Sequence, residues 1–373
     1  MKVLHVISDS NVGGAGVLLT TLLRHFDRNR VTSEVALPAS SALIPRMDGL
    51  GIKIWELKHP CDRISLSSVR ELSSIIQRSE ADLVHANAAL GARVAGRICH
   101  RGVLHTRHCC FPPQGILRLR AARSLGGVAN RMFSDVVIAT ADAAKENLLE
   151  LGIPSKRIQC ITNGSDPVRY VSEEELKIYR SDYGIGEGEF VVGICARLEP
   201  CKGQETFLLA AKRLLLEHPQ IPFRFLIVGT GSDEERLKQL TKALGIERRV
   251  RFTGFVEDMA PIYRLLRINV NCSVGTETSC LALSEGMSAS LPMVISDYGG
   301  NAAMLGDSEA GILFPAGNDA ALARAIARIA LDPILEQRMR GETFRRYRKK
   351  YTADQMTEQL TAVYESLYRS YRG

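Results

Sequence analysis

The sequence predicts an α/β protein with two domains, each built on a parallel sheet. Short apolar runs typical of buried strands alternate with segments of helical periodicity along most of the chain. A length of 373 residues is too great for one comfortable α/β unit and suits two domains of ordinary size. The hydrophobic content of 45% is sufficient for two cores.

The first half of the chain contains one series of these elements. Strands are predicted at residues 2–8, 31–37, 52–57, 82–86, 102–105 and 135–140, with helices at 69–77, 89–99 and 143–151. Gly13, Gly14 and Gly16 follow the first strand and precede a helical pattern, so the backbone there can approach a ligand closely. The spacing is not G-x-G-x-x-G, which disfavours a dehydrogenase, and a tight turn without a ligand is the alternative.

The second half repeats the alternation after an acidic segment at 171–189. Strands are predicted at 190–198, 225–231, 250–255, 268–272 and 292–296, with helices at 205–216, 281–288, 316–331 and over most of 336–371. Arg197 and Lys202 lie between the first of these strands and the next helix. Two cations there can neutralise a diphosphate and stabilise its charge as it leaves, and an exposed surface pair is the alternative.

The crossover between the strands at 268–272 and 292–296 carries two carboxylates, Glu277 in a loop and Glu285 inside the predicted helix. Ligands of open α/β sheets bind at the carboxyl ends of the strands. Glu277 should therefore face that crevice, and Glu285 should lie about two helical turns deeper.

The start of this crossover helix is a candidate anion site. The amides of Ser279, Cys280 and Leu281 should form the helix N-terminus, where the backbone dipole favours a phosphate.

The net charge of +7 is unevenly distributed. Residues 1–170 hold 22 Lys and Arg against 14 Asp and Glu, a balance of +8, whereas the remaining residues hold 26 against 27, a balance of −1. We expect the basic half, including an arginine-rich amphipathic segment at 111–133, to meet an anionic acceptor or an anionic membrane surface. An ordinary solvated surface is the alternative. The basic residues are not interleaved with aromatic ones, so nucleic acid is not an expected partner.

The cysteine content predicts a reducing compartment, because nine scattered cysteines are typical of free thiols rather than of a disulfide framework. Neither an eighteen-residue apolar run nor a charged leader with a cleavage site is present. We therefore expect a cytoplasmic protein, with a peripheral location at the inner face of the membrane as an addition. His105, His108, Cys109 and Cys110 are metal-ligand types, but no paired CxxC spacing accompanies them, and an ordinary strand-end loop is expected.

These features resemble, in their order along the chain, the retaining glycosyltransferases of family four, which have the GT-B fold. Glu277 and Glu285, with LPMVISDYGGN after them, are similar to the Glu-x7-Glu signature of that family. R-x4-K-G at 197–203 is similar to its phosphate loop, and Leu-His-Thr at 104–106 to the segment whose histidine reaches the donor sugar. NGSD at 163–166 is similar to the close of the first domain.

The resemblance covers nearly the whole chain and implies two Rossmann-like domains whose parallel sheets face each other across a cleft. It implies an acceptor-binding domain at 1–168 that also takes a C-terminal helix at about 352–373, and a nucleotide-sugar donor-binding domain at 169–351.

The resemblance also implies roles for particular residues. The catalytic residues would be His105, Glu277, Arg197 and Lys202, with His108 as the rival to His105. The donor would contact Gly14, Gly16, Arg197, Lys202, Gly254, Ser279, Cys280, Leu281 and Glu285. Within that set Glu285 would hold the ribose hydroxyls and Gly254 would lie against the nucleobase, while Glu277 would hold the sugar hydroxyls. The acceptor would contact Thr106 and Arg107.

We therefore predict a retaining hexosyltransferase that moves a sugar from a nucleotide diphosphate sugar, expected to be a UDP-sugar, to an anionic, lipid-linked or saccharide acceptor. Its expected setting is cell-surface glycan or glycolipid synthesis. No DxD motif stands at a cleft loop and two cations already serve the phosphates, so neither a cofactor nor a divalent metal is expected. The oligomeric state is left open.

Three departures from the family pattern bear on the identity of the sugar. ETSCL replaces the usual glycine-rich run after the first acid, Ser290 stands where glycine is common, and YGGN at 298–301 lacks the following Pro-Glu.

Two other functions are compatible with these residues. A nucleotide-sugar epimerase on a similar fold would need an acid and a base around the sugar ring and no acceptor. A non-catalytic protein that binds a sugar nucleotide or an anionic lipid would need only the binding residues.

Overall fold

The structure is a computed structural model that describes residues 1–10, 13–108, 132–275 and 278–372. The chain divides into two compact units. The first comprises Met1–Ser165 with Ala353–Gly373, and the second comprises Asp166–Thr352. The C-terminal segment therefore belongs to the first unit. The assignment of acceptor binding to one unit and donor binding to the other stays a prediction.

Strands and helices alternate along both units. Strands β1 to β13 are Lys2–Ile7, Thr32–Pro38, Lys53–Leu57, Leu83–Asn87, Gly102–Arg107, Val136–Ala139, Ile158–Cys160, Phe190–Cys195, Phe223–Val228, Val250–Gly254, Ile268–Asn271, Met293–Ser296 and Gly311–Phe314. Helices α1 to α13 are Gly14–His25, Leu66–Ser79, Leu90–Ile98, Asp142–Glu150, Glu173–Tyr183, Gln204–Glu217, Glu234–Ala243, Ala260–Leu265, Leu281–Ser288, Asn301–Leu305, Asp319–Ala330, Pro333–Lys350 and Ala353–Arg372.

Each unit contains one parallel sheet whose strand order reverses near its middle. The first sheet has the order β3-β2-β1-β4-β5-β6-β7, and the second has the order β10-β9-β8-β11-β12-β13. The reversal lies between β1 and β4 in the first sheet and between β8 and β11 in the second. Ligands of such sheets bind outside the carboxyl ends of the strands at this switch point. The loops after β8 and β11 are therefore the first place to look for a site in the second unit.

Helices cover both faces of the second sheet, which explains why its strands are continuous apolar runs. All six residues of β8 are buried. Phe207 on α6 and Phe225 on β9 belong to the core on one face. Met287 on α9 and Tyr263 on α8 belong to the core on the other.

The predicted alternation is confirmed, with differences at short elements. The helix predicted at 281–288 has those bounds in the structure. Helices α8 and α10 and strand β13 were not predicted, because segments of four to six residues are too short to show a period. The helix predicted over most of 336–371 is two helices, which separate at Tyr351 and Thr352, where the chain passes from the second unit to the first.

A buried cluster of aromatic and imidazole rings packs α13 against the first sheet. The Tyr364 hydroxyl lies 2.5 Å from Nδ1 of His85, whose Nε2 lies 2.7 Å from Oγ1 of Thr106. The rings of His5 and His85 are 5.5 Å apart. Burial lowers the pKa of His5 to about 3 and the pKa of His85 well below its ordinary value. Both imidazoles are therefore neutral in the folded protein at neutral pH.

This arrangement predicts that the first unit loses stability in mild acid. Below the ordinary histidine pKa of 6.5, His5 and His85 become protonated in the unfolded chain but stay neutral in the folded protein. The free energy of unfolding therefore decreases as the pH is lowered. At pH 5 the loss from His5 should be about 2 kcal/mol, and His85 should add to it. Trp55, the single tryptophan, is buried in this unit, so its fluorescence during urea unfolding at pH 7 and pH 5 measures the effect.

The matched variants are His5→Gln and His218→Gln. The first should reduce the acid-induced loss by about 2 kcal/mol, the contribution of His5 alone, because His85, His105 and His108 in the same unit also have pKa values lowered by burial and continue to contribute. The second removes a partly exposed histidine and should leave the dependence unchanged. An unchanged dependence in His5→Gln would contradict the prediction.

Candidate functional site

The loops after β8 and β11 are joined at the switch point of the second sheet. The Val274 amide donates a hydrogen bond of 2.9 Å to the Cys201 carbonyl. A Cβ atom at Gly203 would lie 2.1 Å from the Cys272 carbonyl oxygen, and Gly203 has a φ of +71°, so only glycine fits. The glycine of the R-x4-K-G pattern is thus fixed by the contact between the two loops.

Arg197 and Lys202 stand at the two ends of the first of these loops. The Arg197 side chain is 68% exposed, and its Nη1 lies 2.6 Å from Oε1 of Glu199. The buried Gln204 donates from Nε2 to the Arg197 carbonyl at 2.8 Å, which fixes the backbone from which the guanidinium projects. An anion that reaches Arg197 therefore competes with Glu199 for it.

Glu285 lies in the second turn of α9, where it is largely buried. The pKa of Glu285 is raised to about 7, chiefly by burial; the hydrogen bond from Tyr263 opposes the rise, and the charge of Asp166 adds to it. Tyr263 donates this bond from its hydroxyl to Oε2 at 2.8 Å. The carboxylate therefore changes its charge close to neutral pH.

Helix α9 begins at Leu281, with Cys280 as its N-cap. Its first intrahelical bonds run from Leu283 and Ser284 to the Cys280 carbonyl, and no acidic side chain lies in the first turn. The positive end of the helix dipole is therefore not neutralised by its own helix. Ser279 immediately precedes this start. Glu277 lies outside the described residues, so its role stays a prediction.

Gly254 ends β10 and has a φ of +73°. Its carbonyl accepts a hydrogen bond of 2.9 Å from the Gly229 amide at the end of the neighbouring strand. This backbone geometry alone accounts for a glycine at the position.

Gly14 and Gly16 differ in their surroundings. Gly14 is the first residue of α1, and a Cβ atom there would meet no atom of the described residues within 4 Å. At Gly16 a Cβ atom would lie 2.5 Å from Cδ2 of Leu43. The open space at Gly14 suits the approach of a ligand, whereas packing against Leu43 explains Gly16.

His105 and Thr106 point to opposite faces of β5. Nδ1 of His105 lies 2.9 Å from the Ser134 hydroxyl. Burial lowers the pKa of His105 well below its ordinary value, and the charges of Arg93, Arg107 and His108 add to this effect. His105 is therefore a neutral imidazole at pH 7 and not a source of protons. The Thr106 hydroxyl lies in the interior against His85, as described above, and Arg107 ends the strand in a partly exposed position.

The candidate zinc ligands do not form a group in the described part of the chain. Nε2 of His108 lies 2.9 Å from Oδ1 of Asn87, and burial lowers the pKa of His108 to about 4. Cys109 and Cys110 lie outside the described residues, as does most of the basic segment at 111–133. Within the described ranges, no three His, Cys, Asp or Glu side chains stand together in a way that would hold a metal ion.

The sequence did not indicate some residues that support these loops. Gln204 donates a hydrogen bond to the Arg197 carbonyl, and Tyr263 donates one to Glu285. Asn271 accepts a hydrogen bond from Ser273 in the loop after β11. The only signal for Asn271 was an amide in the otherwise apolar strand INVNC. A polar residue at a buried strand position needs hydrogen-bond partners, and the sequence alone does not show which residues supply them.

Two family models match the chain. The model described as Glycosyltransferase Family 4 matches residues 12–169, and the model described as Glycosyl transferases group 1 matches residues 177–346. Helices long and apolar enough to cross a membrane are not found in the ranges that the structure describes.

Known proteins with similar sequences are named as glycosyltransferases. The putative glycosyltransferase EpsD of Bacillus subtilis is 26% identical over 322 residues, which cover 83% of each chain. The D-inositol 3-phosphate glycosyltransferase of Corynebacterium urealyticum is 30% identical over 246 residues, which cover 63% of this chain and 57% of that one. A solved structure, Anabaena Alr3699/HepE in complex with UDP-glucose, has a TM-score of 0.85 at 23% identity, over 98% of this chain and 100% of that one.

These comparisons confirm the predicted fold class, which is the α/β GT-B fold with two Rossmann-like domains. The chain belongs to the group 1 glycosyltransferases of family four, and it is an enzyme that transfers sugars.

Glu285→Gln should change how the stability of the second unit depends on pH. Because the folded state raises the pKa of Glu285 from 4.5 to about 7, the folded protein holds this proton more tightly, and stability falls as pH rises through that window. The fall should be at most about 3 kcal/mol, and it should be absent in Glu285→Gln. Thermal unfolding followed by far-UV circular dichroism between pH 5 and pH 8 measures it, with the exposed Glu247→Gln as the control. A persistent fall in Glu285→Gln would exclude Glu285 as the cause.

Ser290→Gly should stabilise the second unit. Ser290 has a φ of 61° in the turn between α9 and β12, a conformation that costs a residue with a Cβ atom about 1 kcal/mol. The glycine common at this position in the family is therefore explained by backbone conformation. The melting temperature should rise in Ser290→Gly and should not rise in Ser290→Ala, which keeps the Cβ atom. Equal melting temperatures for the two variants would show that no strain is released.

Proposed function

We propose that this glycosyltransferase takes a UDP-sugar as its donor and binds it at the switch point of the second sheet. The observation that carries the proposal is the junction of the loops after β8 and β11. That junction brings Arg197, Lys202 and the start of α9 to the same edge of the sheet, and Glu285 lies about one turn further along that helix. The solved structure of the same fold with UDP-glucose bound supports the choice of donor.

In this proposal the diphosphate is held by charge and by backbone dipoles. Arg197 leaves Glu199 for the phosphates, Lys202 adds a second positive charge, and the N-terminus of α9 contributes its dipole. Glu285 accepts hydrogen bonds from the ribose hydroxyls, so UDP should bind more tightly as pH rises through about 7 and this carboxyl ionises.

The proposed reaction retains the configuration at the sugar. The bond between the anomeric carbon and the phosphate oxygen breaks, and UDP leaves with the electron pair. The acceptor oxygen bonds to the same face of the anomeric carbon and gives its proton to a phosphate oxygen of the departing UDP. Arg197 and Lys202 stabilise the charge that develops on that phosphate, which is where catalysis by fixed charges is most effective.

We propose that the reaction needs no divalent metal, since these two cations and the helix dipole already oppose the charge of the diphosphate. The predicted contacts of His105 and Glu277 with the sugar remain part of this proposal.

The proposed acceptor is anionic, for example a sugar phosphate or a phospholipid head group. The excess of positive charge in residues 1–170 supports an anionic partner for the first unit. The name of the Corynebacterium relative, a D-inositol 3-phosphate glycosyltransferase, points in the same direction. Contact of Thr106 and Arg107 with the acceptor stays a prediction. The same holds for a saccharide acceptor, for a role in cell-surface glycan synthesis and for a peripheral location at the membrane.

A nucleotide screen by thermal shift tests the donor. UDP at about a hundred times its dissociation constant should stabilise the protein by about 2.7 kcal/mol, with or without magnesium, and GDP and ADP should have smaller effects. Arg197→Ala should weaken UDP binding about tenfold, because a charged hydrogen bond is lost.

The control is Arg213→Ala, which removes another exposed arginine of the second unit that is paired with one carboxylate, Asp319. It should leave UDP binding unchanged. Stabilisation that requires magnesium, or that is equal in Arg197→Ala and the unaltered protein, would refute this account of the phosphate site.

A further inference from the structure

One buried side chain, that of Asn271, joins the two ends of the loop between β11 and α9. Asn271 is the last residue of β11 and is 7% exposed. Its Oδ1 accepts a hydrogen bond of 2.9 Å from the Ser273 amide, and its Nδ2 donates to Sγ of Cys280 at 3.5 Å. Ser273 begins the loop, and Cys280 is the N-cap of α9.

A second layer of buried polar groups holds Asn271 and Ser273 from behind. Nδ2 of Asn301, at the start of α10, donates to Oδ1 of Asn271 at 3.2 Å and to the Ser296 hydroxyl at 3.1 Å. The Ser296 hydroxyl donates to the Ser273 carbonyl at 2.7 Å. Ser273 is therefore fixed at its amide by Asn271 and at its carbonyl by Ser296.

This network of polar side chains is costly to bury. Asn301 and Ser296 are fully buried, and Oδ1 of Asn301 has no hydrogen-bond partner among the described residues. Polar groups in such a place must be satisfied by specific neighbours, whereas apolar side chains of similar size would need none. What the network provides is one fixed position for the backbone at Ser273 and at Cys280.

We propose that Asn271 is a positioning residue for the donor diphosphate. By holding Ser273 and Cys280 together, it sets the start of α9 against the loop that carries Arg197 and Lys202. Asn271 itself touches no phosphate in this arrangement, since its amide is used by protein groups. The inference rests on the proposed function, because it assigns Asn271 to the same donor site.

The strand offers a matched control for a purely structural role. Asn269 lies two residues earlier on β11, faces the same side, is 1% exposed, and donates from Nδ2 to the Ala282 carbonyl of α9 at 2.9 Å. It is a buried amide bonded to the same helix, but in the described part of the chain it is not bonded to Ser273. Loss of either amide should destabilise the fold, and only loss of Asn271 should affect the phosphates.

The experiment compares the binding of UDP with that of uridine, which lacks the phosphates, by isothermal titration calorimetry. Asn271→Ala should weaken UDP binding about tenfold and leave uridine binding unchanged, because only the phosphate groups are misplaced. Asn269→Ala should lower the melting temperature to a similar extent and leave the ratio of the two dissociation constants unchanged.

Ser296→Ala provides a milder variant in case Asn271→Ala does not fold. It removes only the hydroxyl that holds the Ser273 carbonyl, and it should weaken UDP binding severalfold without affecting uridine. Equal losses for UDP and uridine, or no loss for either, in a folded variant would overturn the inference while leaving the donor site intact. Failure of the unaltered protein to bind UDP at all would overturn the proposed function and this inference together.

Discussion

The close contact between the backbones at Gly203 and Cys272 is the constraint on which the candidate site depends. A parallel sheet brings the carboxyl ends of β8 and β11 to one edge, but it does not make the following loops touch. They touch because Gly203 has no side chain where the Cys272 carbonyl lies, and because Val274 bonds to Cys201. The cationic loop and the loop before α9 are therefore one assembled surface, and a larger residue at Gly203 would separate them.

The site also illustrates how burial sets the state of a polar group. Burial raises the pKa of Glu285 to about 7, and its carboxylate accepts a hydrogen bond from a neutral donor, the Tyr263 hydroxyl. His105 is kept neutral by burial and by nearby positive charge. Arg197 is left exposed with a weak local partner, Glu199. The charged side chain that we propose binds the diphosphate is thus at the surface, whereas Glu285 and His105 lie deeper.

Much of the fold and part of the site could be predicted from the sequence. The apolar runs gave the strands because both sheets are covered on two faces, and the need for a crossover helix between two predicted parallel strands gave α9. Short elements such as α10 could not be predicted, since five residues carry no period. Gly16 was assigned to the donor because a glycine-rich turn suits a ligand, yet its neighbour in the structure is Leu43, a contact that no local pattern reveals.

The sequence by itself determined the fold class and the family, and it placed Arg197, Lys202 and Glu285 in one unit, because periodicity and motif spacing are local properties of the chain. Only the tertiary structure decided which groups meet. Asn271 contacts Asn301 on α10, and Tyr263 on α8 contacts Glu285 on α9, through pairings between elements that are separated along the chain. Packing also decides which side chains are buried. Because burial shifts the pKa of Glu285 and of the histidines, their protonation states follow from the fold and not from the residue type alone.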